Sequence, residues 1–263
     1  MSRATQTTGT LVLVPNALDF GASELGDLTA ALPLPVLQRA ATIAHWVVED
    51  AKSARAFLRR VAAVAPLRLP IQQLDIQELP RADKSAERAA AKATVSTAEI
   101  HLLLAPARNG ADVALLTEAG LPAVADPGAA LVREAHTLGL RVEPLPGPSA
   151  LMLALAASGL NGQQFAFVGY LPVNAEERAH RIRELETQSR RAHQTQIAIE
   201  TPYRNPAILK ALVDHLQPAT RLAVACALTW PQGWCRTQSV KAWRTSELAI
   251  DNRLPAVYLW LAA

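Results

Sequence analysis

Short apolar runs alternate with longer amphipathic segments along the chain, and this alternation predicts strands joined by helices. Over the first half it predicts strands at 11–14, 42–48, 69–76, 112–117 and 141–145, and helices at 36–41, 51–64, 85–93, 98–107 and 129–138. We expect no regular structure over the polar residues 1–9 or over 17–35, which are rich in Gly and Pro. Strands that alternate with helices pair in parallel, so the first half is predicted to form a mostly parallel sheet.

A cluster of Pro and Gly at 144–148 interrupts the alternation and predicts a junction between two domains, 1–146 and 147–263. Beyond it the pattern predicts helices at 149–158, 175–192 and 205–216, and strands at 165–171, 195–200, 221–228, 234–244 and 255–262. The hairpin-like spacing around Pro231-Gln232-Gly233 adds antiparallel pairing, so the second sheet is predicted to be mixed. The expected fold class is therefore α/β with two domains.

Composition narrows the function only slightly. The 263 residues are half hydrophobic and 19% charged, which is enough for one large core or two moderate ones. A net charge of +3 permits a nucleic-acid partner without requiring one. Cys226 and Cys235 have no His in metal-ligand spacing, which argues against a metal site and a disulfide framework. We expect a cytoplasmic protein with no membrane partner, because neither a signal peptide nor an apolar run of ~20 residues is present.

Loops rich in Gly and Pro follow several of the predicted strands. The longest, residues 117–128, leads from one strand into the helix at 129–138, and the carboxyl ends of strands are where open α/β sheets bind ligands. Small residues there let the backbone approach a ligand closely. Similar turns occur at 14–16, 146–150 and 200–203. No G-x-S-x-G, G-x-G-x-x-G or complete P-loop motif is present, which argues against a serine hydrolase, a dinucleotide site and a P-loop phosphate site.

Five motifs, in the same order, resemble those of the tetrapyrrole methylase superfamily, whose members use S-adenosylmethionine (SAM) as methyl donor. Residues 117–128 resemble the family's Ser-Asp-Ala-Gly-Thr-Pro-Gly-Ile-Ser-Asp-Pro-Gly, and 144–150 match Pro-Leu-Pro-Gly-Pro-Ser-Ala at every position. Residues 48–52, 167–172 and 200–204 resemble Ala-Glu-Asp-Thr-Arg, Phe-Glu-Gly-Phe-Leu-Pro and Glu-Ser-Pro-His-Arg. Within the superfamily the chain looks most like a branch that methylates RNA of the small ribosomal subunit.

The chain departs from the family pattern at three places. The first loop, 14–20, replaces Val-Pro-Thr-Pro-Ile-Gly-Asn with a displaced Gly, and Ala51-Lys52 stands in place of Thr-Arg. Lys cannot supply the bidentate donor that Arg provides. Thr117-Glu118 replaces Ser-Asp. These changes concentrate on the acceptor side of the expected site.

The resemblance implies a tetrapyrrole methylase-like fold with SAM in a cleft between the two domains, and a homodimer. Its implied cofactor-binding residues are Pro15, Glu118, Ala119, Gly120, Val124, Ala125, Asp126, Ser149, Phe167, Val168, Gly169, Thr201, Pro202, Pro255 and Ala256. The implied acceptor is ribosomal RNA or the small ribosomal subunit, at a ribose 2′-hydroxyl, and such an acceptor needs a base. The candidate catalytic carboxylates are Glu49, Asp50 and Glu118.

Local structure offers simpler roles for several of these residues. Asp126 is expected to cap the following helix, Ser149 is a second candidate cap, and Glu49-Asp50 suit the positive end of the helix dipole. Lys52, Arg55 and Arg59 fall on one helical face, with Arg60 beside them. That face is predicted to bind RNA phosphates or, alternatively, to be only a solvated surface. The aromatic residues Trp230, Trp234, Trp243, Tyr258 and Trp260 are predicted to pack in the core.

Two other functions remain open at this point. A methylase of a tetrapyrrole or another small precursor would have compact cationic anchors in its acceptor pocket and little sensitivity to salt, whereas RNA binding weakens steeply with salt. A catalytically inactive SAM-binding interaction module is favoured by Ala51-Lys52 and by the altered first loop.

Overall fold

The computed structural model describes residues 8–19, 22, 25–80, 96–246 and 250–263. The chain divides into two compact units, Met1–Pro148 and Ser149–Ala263. The helix predicted over 85–93 and most of the polar segment 1–9 lie outside the described residues. Within the described part of the chain, no helix is both long enough and apolar enough to cross a membrane.

The first unit contains a five-stranded sheet in the order β3-β2-β4-β1-β5. Every pairing in it is parallel, as predicted. The central strand β4 is buried along its whole length, as expected for a sheet covered by helices on both faces. The strands are β1 (Thr10–Val14), β2 (His45–Val48), β3 (Asp75–Glu78), β4 (Val113–Leu116) and β5 (Arg141–Pro144).

Helices cover the two faces of this sheet. They are α1 (Leu34–Ala41), α2 (Ala51–Ala62), α3 (Thr97–Leu103), α4 (Ala105–Arg108) and α5 (Ala129–Thr137). Helix α2 buries Ala54, Phe57, Leu58 and Val61, the i, i+3, i+4, i+7 spacing of a single helical face. This face packs with α1 into one hydrophobic core, while α3, α4 and α5 pack into a second core on the opposite face.

Several predicted boundaries in the first unit are wrong for local reasons. The helix predicted over 98–107 is two helices separated at Leu104, because Pro106 has no N–H to continue the hydrogen-bond ladder. The strand predicted over 69–76 is a 3-10 turn at Ile71–Gln73 followed by β3. Strand β2 begins at His45 rather than at residue 42, since Thr42 ends α1.

The loop predicted over 17–35 contains local structure. A 3-10 turn at Leu28–Ala30 is capped by Asp27, whose carboxylate accepts a hydrogen bond from the Thr29 N–H at 2.9 Å. Helix α1 then begins at Leu34, with a proline at the first turn where a missing N–H is tolerated. A short turn held by a capping side chain has no apolar periodicity, so the hydrophobic pattern of the sequence does not predict it.

The second unit contains a five-stranded sheet in the order β6-β7-β10-β8-β9. The β6–β7 pairing is parallel and the other pairings are antiparallel, which confirms the predicted mixed sheet. The strands are β6 (Phe165–Tyr170), β7 (Thr195–Glu200), β8 (Arg221–Cys226), β9 (Trp234–Ser239) and β10 (Ala256–Leu261).

Helix α6 (Ala150–Ser158) covers one face of the second sheet. Helices α7 (Ala175–Ala192) and α8 (Asn205–His215) cover the other. The strand predicted over 234–244 is wrong beyond Ser239, whose hydroxyl caps a short helix α9 (Val240–Trp243). The predicted packing of the aromatic residues is confirmed, because Trp243, Tyr258 and Trp260 are buried and Trp230 and Trp234 pack against the same core.

Candidate active site

The turns that follow the strands of the first sheet lie at one edge. Because all its pairings are parallel, the segments after β1, β2, β4 and β5 emerge together at the carboxyl edge. The adjacent strands β2 and β4 lead the chain in opposite directions, β2 toward β3 and β4 toward β5. Such a reversal is where open α/β sheets bind ligands.

Asn16 joins the first of these turns to the long loop 117–128. Its backbone exchanges two hydrogen bonds with Gly120, at 2.9 and 3.1 Å. Its buried side-chain amide donates to the Thr117 carbonyl at 3.3 Å and to the Glu118 carbonyl at 3.0 Å. Asn16 is not among the predicted site residues, because a buried amide that links two turns has no signature in the sequence.

The turn after β5 packs against the same place. A Cβ added to Gly147 would lie 2.3 Å from the Cβ of Pro15, a distance that no side chain could occupy. Only glycine therefore allows the two turns to approach this closely. Three of the predicted ligand-binding turns are thus in direct contact within the first unit.

The loop 117–128 holds an unusual backbone. Gly120 and Gly128 have φ of +71° and +121°, and Ala123 and Ala125 have φ of +65° and +60°. A left-handed conformation costs an alanine about 1–2 kcal/mol, so the surrounding structure must impose it. Strained backbone of this kind concentrates at ligand-binding and catalytic sites.

Three carboxylates meet at this edge. The Glu49 carboxylate follows β2 and accepts a hydrogen bond from the backbone N–H of Glu118 at 3.2 Å. Burial and the nearby charge of Glu49 raise the pKa of Asp126 from 3.8 to about 6; Glu118 adds to the rise and the Thr117 hydroxyl opposes it. A carboxyl that titrates close to neutral pH in a strained loop is typical of a functional site. Among the described residues, no group of three or more His, Cys, Asp or Glu side chains is arranged to hold a metal ion.

The structure decides the local roles expected for Asp50, Asp126 and Ser149 at the starts of helices. Asp50 is the N-cap of α2, and its carboxylate accepts from the Ser53 N–H at 2.7 Å, which confirms its structural role. The interpretation of Asp126 as a cap is wrong, because the N-cap of α5 is Gly128 and no side chain caps it. Ser149 occupies the N-cap of α6, yet its side chain makes no capping bond.

In the second unit, several predicted cofactor residues lie at one edge of the sheet. Gly169 is near the end of β6, Thr201 and Pro202 follow β7, and Pro255 precedes β10, whose first residue, Ala256, pairs with Glu200. Strand β6 also changes register between Phe167 and Gly169, where Gly169 has a φ of +73°. This β-bulge takes in Val168 and changes the direction of its side chain relative to its neighbours.

Buried polar groups hold these turns together. Glu200 accepts from the Thr201 N–H at 2.8 Å and forms an ion pair with Arg204 at 3.2 Å. The buried amide of Asn205 donates to the Leu254 carbonyl at 2.8 Å, and its oxygen accepts from the Tyr258 hydroxyl at 2.9 Å. The segment after β7 is therefore linked to the segment that precedes β10. Asn205 is a second buried amide that sequence reasoning misses.

Helix α6 runs against the direction of β7. Just beyond the end of α6, the carbonyl of Asn161 accepts a hydrogen bond from the hydroxyl of Thr195, the first residue of β7. Its first turn, with Ser149 at the N-cap, consequently lies toward the edge where β7 ends.

The predicted basic face of α2 is present in part. Lys52, Arg55 and Arg59 are exposed, and Lys52 and Arg59 form no ion pair with any residue that the structure describes. Arg60 differs, because its guanidinium binds both oxygens of Asp19, at 3.2 and 2.7 Å, and the Gly26 carbonyl at 3.0 Å. Three of the four cations are therefore available to an anionic partner.

Residues 21–240 match the family model for tetrapyrrole (corrin/porphyrin) methylases. The chain belongs to this family. Two solved structures share its fold: the methyltransferase CobJ, with 18% identity, a TM-score of 0.54 and coverage of 98% of this chain and 95% of that one, and the native uroporphyrin III C-methyltransferase of Thermus thermophilus, with 16% identity, a TM-score of 0.51 and 96% coverage of both chains.

Several similar curated proteins carry the name ribosomal RNA small subunit methyltransferase I. The protein from Mesorhizobium japonicum is 39% identical over 150 residues, which are 57% of this chain and 50% of that protein. The protein from Pseudomonas aeruginosa is 43% identical over 107 residues, 41% of this chain and 36% of that one. This tetrapyrrole methylase thus spans half or less of the length of these relatives.

Proposed function

We propose that this tetrapyrrole methylase is a SAM-dependent methyltransferase that acts on RNA of the small ribosomal subunit, at a ribose 2′-hydroxyl. Family membership and the name shared by the curated relatives support the activity and the substrate. The observation that carries the proposal is the carboxyl edge of the first sheet, where the strained loop 117–128 meets Asn16, Gly147 and three carboxylates.

The residues of the first unit suit SAM, which carries a sulfonium and an ammonium group. Glu49, Glu118 and Asp126 supply negative charge, and Ala119, Gly120, Ala123 and Ala125 carry side chains small enough for a ligand to approach the backbone closely. We propose Pro15, Glu118, Ala119, Gly120, Val124, Ala125 and Asp126 as binding residues from this unit. From the second unit we propose Ser149, Phe167, Val168, Gly169, Thr201, Pro202, Pro255 and Ala256.

When bound, SAM supplies an electrophilic methyl group, and the main task of the protein is to orient donor and acceptor and to exclude water. We propose that Glu49 receives the proton of the acceptor hydroxyl, with Glu118 as the second candidate base, because the two residues lie next to each other at the edge and beside Asp126. Asp50 keeps its capping bond to Ser53, so its carboxylate contributes mainly to holding the first turn of α2 in place.

The decisive experiment incubates the protein with methyl-labelled SAM and small ribosomal subunits from a strain that lacks the corresponding methyltransferase. We expect label in RNA, and we expect Glu49→Gln to lower kcat by about 100-fold, the usual contribution of a general base. Glu176→Gln, on the exposed first turn of α7, is the matched control. Calorimetric SAM binding without transfer to RNA would favour the inactive interaction module, and no SAM binding at all would refute the proposal.

The resemblance to the family also leads to two expectations about cellular location and oligomeric state. We propose that the protein acts in the cytoplasm, where a ribosomal substrate is found, and that it forms a homodimer. Light scattering tests the second expectation, because a mass of 28.2 kDa in solution is that of a single chain and would contradict it.

A further inference from the structure

A cavity of about 420 Å³ opens beside the first turns of α2 in the first unit. Ala56 and Phe57 of α2, together with Leu25, form an apolar part of its wall. Lys52, Asp50 and Glu118 form a polar part. A cavity of this size, largely apolar with a few converging polar groups, is of the kind that holds a small ligand.

We infer that this cavity, named the α2 cavity, receives one unpaired nucleoside of an RNA substrate. The inference rests on the proposed function and adds the place and the chemistry of the acceptor. A base offers flat apolar faces to Leu25 and Ala56. The amino groups of the base and the hydroxyls of the ribose can donate hydrogen bonds to the carboxylates of Asp50 and Glu118. Lys52 supplies a cation for the adjoining phosphate.

The position of the cavity fits an acceptor. Glu118 lines it and lies at the end of β4, where its backbone N–H is bound by the Glu49 carboxylate. A nucleoside in the α2 cavity would therefore lie against one of the residues proposed to bind SAM and to receive the proton.

The charges in the cavity disfavour the alternative substrate. Tetrapyrrole precursors carry several carboxylates, and the cavity wall includes Asp19, Asp50 and Glu118. Among the described residues that line it, the cations are Lys52 and Arg60, and Arg60 is already bound to Asp19. A single available cation among these residues suits one phosphate and does not suit a polyanionic ring.

Arg60 positions one wall of the cavity. Its guanidinium binds the carboxylate of Asp19, which lines the cavity, and the carbonyl of Gly26, which follows Leu25 in the chain. Arg60 and Asp19 are half-buried, so solvent weakens this pair less than an exposed one. Arg60 is in this sense a positioning residue, because it holds Asp19 and the backbone next to Leu25 in place and does not contact the acceptor's reacting atoms.

The test fills the cavity. In Ala56→Trp, an exposed position on α2 that lines the cavity receives a side chain large enough to occupy it. We expect KM for small ribosomal subunits to rise by about tenfold or more, because the pocket is filled, while the Kd of SAM stays within about twofold, since the substitution does not remove a proposed SAM contact. Ala62→Trp, exposed at the end of the same helix, is the matched control and should leave both values unchanged.

A binding measurement keeps this inference separate from the proposed function. We expect at least one of the 5′-monophosphates of adenosine, guanosine, cytidine and uridine to bind the wild-type chain in saturation-transfer NMR, and Ala56→Trp to abolish that signal. If RNA methylation fails but this pattern is found, the proposed function falls and the nucleoside site stands. Unchanged KM and unchanged nucleotide binding in Ala56→Trp, or no nucleotide binding by the wild-type chain, would overturn the inference.

Discussion

The side chain of Asp126 is half-buried beside Glu49 and Glu118, and its pKa is raised to about 6. Its negative charge at neutral pH therefore lowers the free energy of unfolding. The same loop also holds two alanines in the left-handed region of backbone conformation. Functional sites commonly retain such features at the expense of stability. Asp126 thus links the strain of the loop to a measurable property, the pH dependence of unfolding.

Replacing Asp126 with asparagine should stabilise the protein at pH 8. A native pKa above the unfolded value means that the associated stability is present below about pH 3.8 and is lost as the pH rises through about 6. The full rise in pKa corresponds to about 3 kcal/mol, which partial exposure to solvent reduces to about 1 kcal/mol. Denaturant unfolding should show this gain at pH 8 and none near pH 4.

The control for this measurement is Asp214→Asn, an exposed residue of α8 paired with Lys210. Its effect should be small and should not vary between pH 6 and pH 8. A loss of stability in Asp126→Asn at pH 8 would contradict the conclusion that the charged carboxylate of Asp126 destabilises the folded protein.

Gly147→Ala should destabilise the first unit, because the new Cβ would lie 2.3 Å from Pro15. Either turn would have to move, at a cost of about 1–3 kcal/mol, the usual range for overpacking. Gly162→Ala is the control, since nothing lies within 4 Å of its Cβ position. Equal unfolding midpoints for the two variants would show that the turns do not need their close approach.

Among single residues, sequence reasoning finds Pro15, Gly120 and Gly147, because Gly and Pro mark turns regardless of what surrounds them. It does not find Asn16 or Asn205. Both are buried amides that satisfy carbonyls far away in the chain, and an asparagine in a turn predicts only local hydrogen bonding.

Helix α2 shows how far an element can be predicted. Its buried face and its exposed cations follow from spacing within the helix, because residues three and four positions apart share a face. The negative charge expected at its start is present at Asp50, and the structure adds that this side chain caps the helix. The partner of Arg60 does not follow, since Asp19 lies in a loop that the periodicity cannot orient.

The exposed cations of α2 lead to a prediction about RNA. The double variant Lys52→Gln, Arg59→Gln should weaken binding of small-subunit RNA and lower the salt dependence of log Kd by about one for each phosphate that is no longer bound. Arg190→Gln, Arg191→Gln at the end of α7 is a control with the same change of charge. The same salt slope for the wild type and the α2 variant would leave this face as a solvated surface.

Elements were mispredicted where capping or proline overrides composition. Ser239 ends β9 by capping α9, and Pro106 divides one predicted helix into two. At Pro106 the apolar run 102–107 continues through the break, so composition does not mark it. At Ser239 the cap depends on a bond between the Ser239 hydroxyl and the Ala242 N–H, which hydrophobic periodicity does not report.

At the scale of the whole molecule, each unit has its own sheet and its own hydrophobic cores. Units of this size commonly fold alone. We expect the separate fragments 1–148 and 149–263 each to unfold cooperatively in circular dichroism. Neither fragment should bind SAM in calorimetry, because the proposed binding residues are divided between them.

The intact chain is the control for cofactor binding. Full SAM affinity in either fragment alone would show that the residues proposed from the other unit are not needed. A fragment without a cooperative transition would show that its cores require the rest of the chain.

The sequence by itself determined the alternation of strands and helices, the parallel and mixed character of the two sheets, and family membership through five ordered motifs. These depend on neighbours along the chain, where periodicity and turn chemistry act. Only the tertiary structure decided that Asn16 holds Gly120, that Arg60 binds Asp19, and that burial, together with Glu49 and Glu118, raises the pKa of Asp126. Such pairings depend on distances through space between groups far apart in the chain, which a linear pattern does not encode.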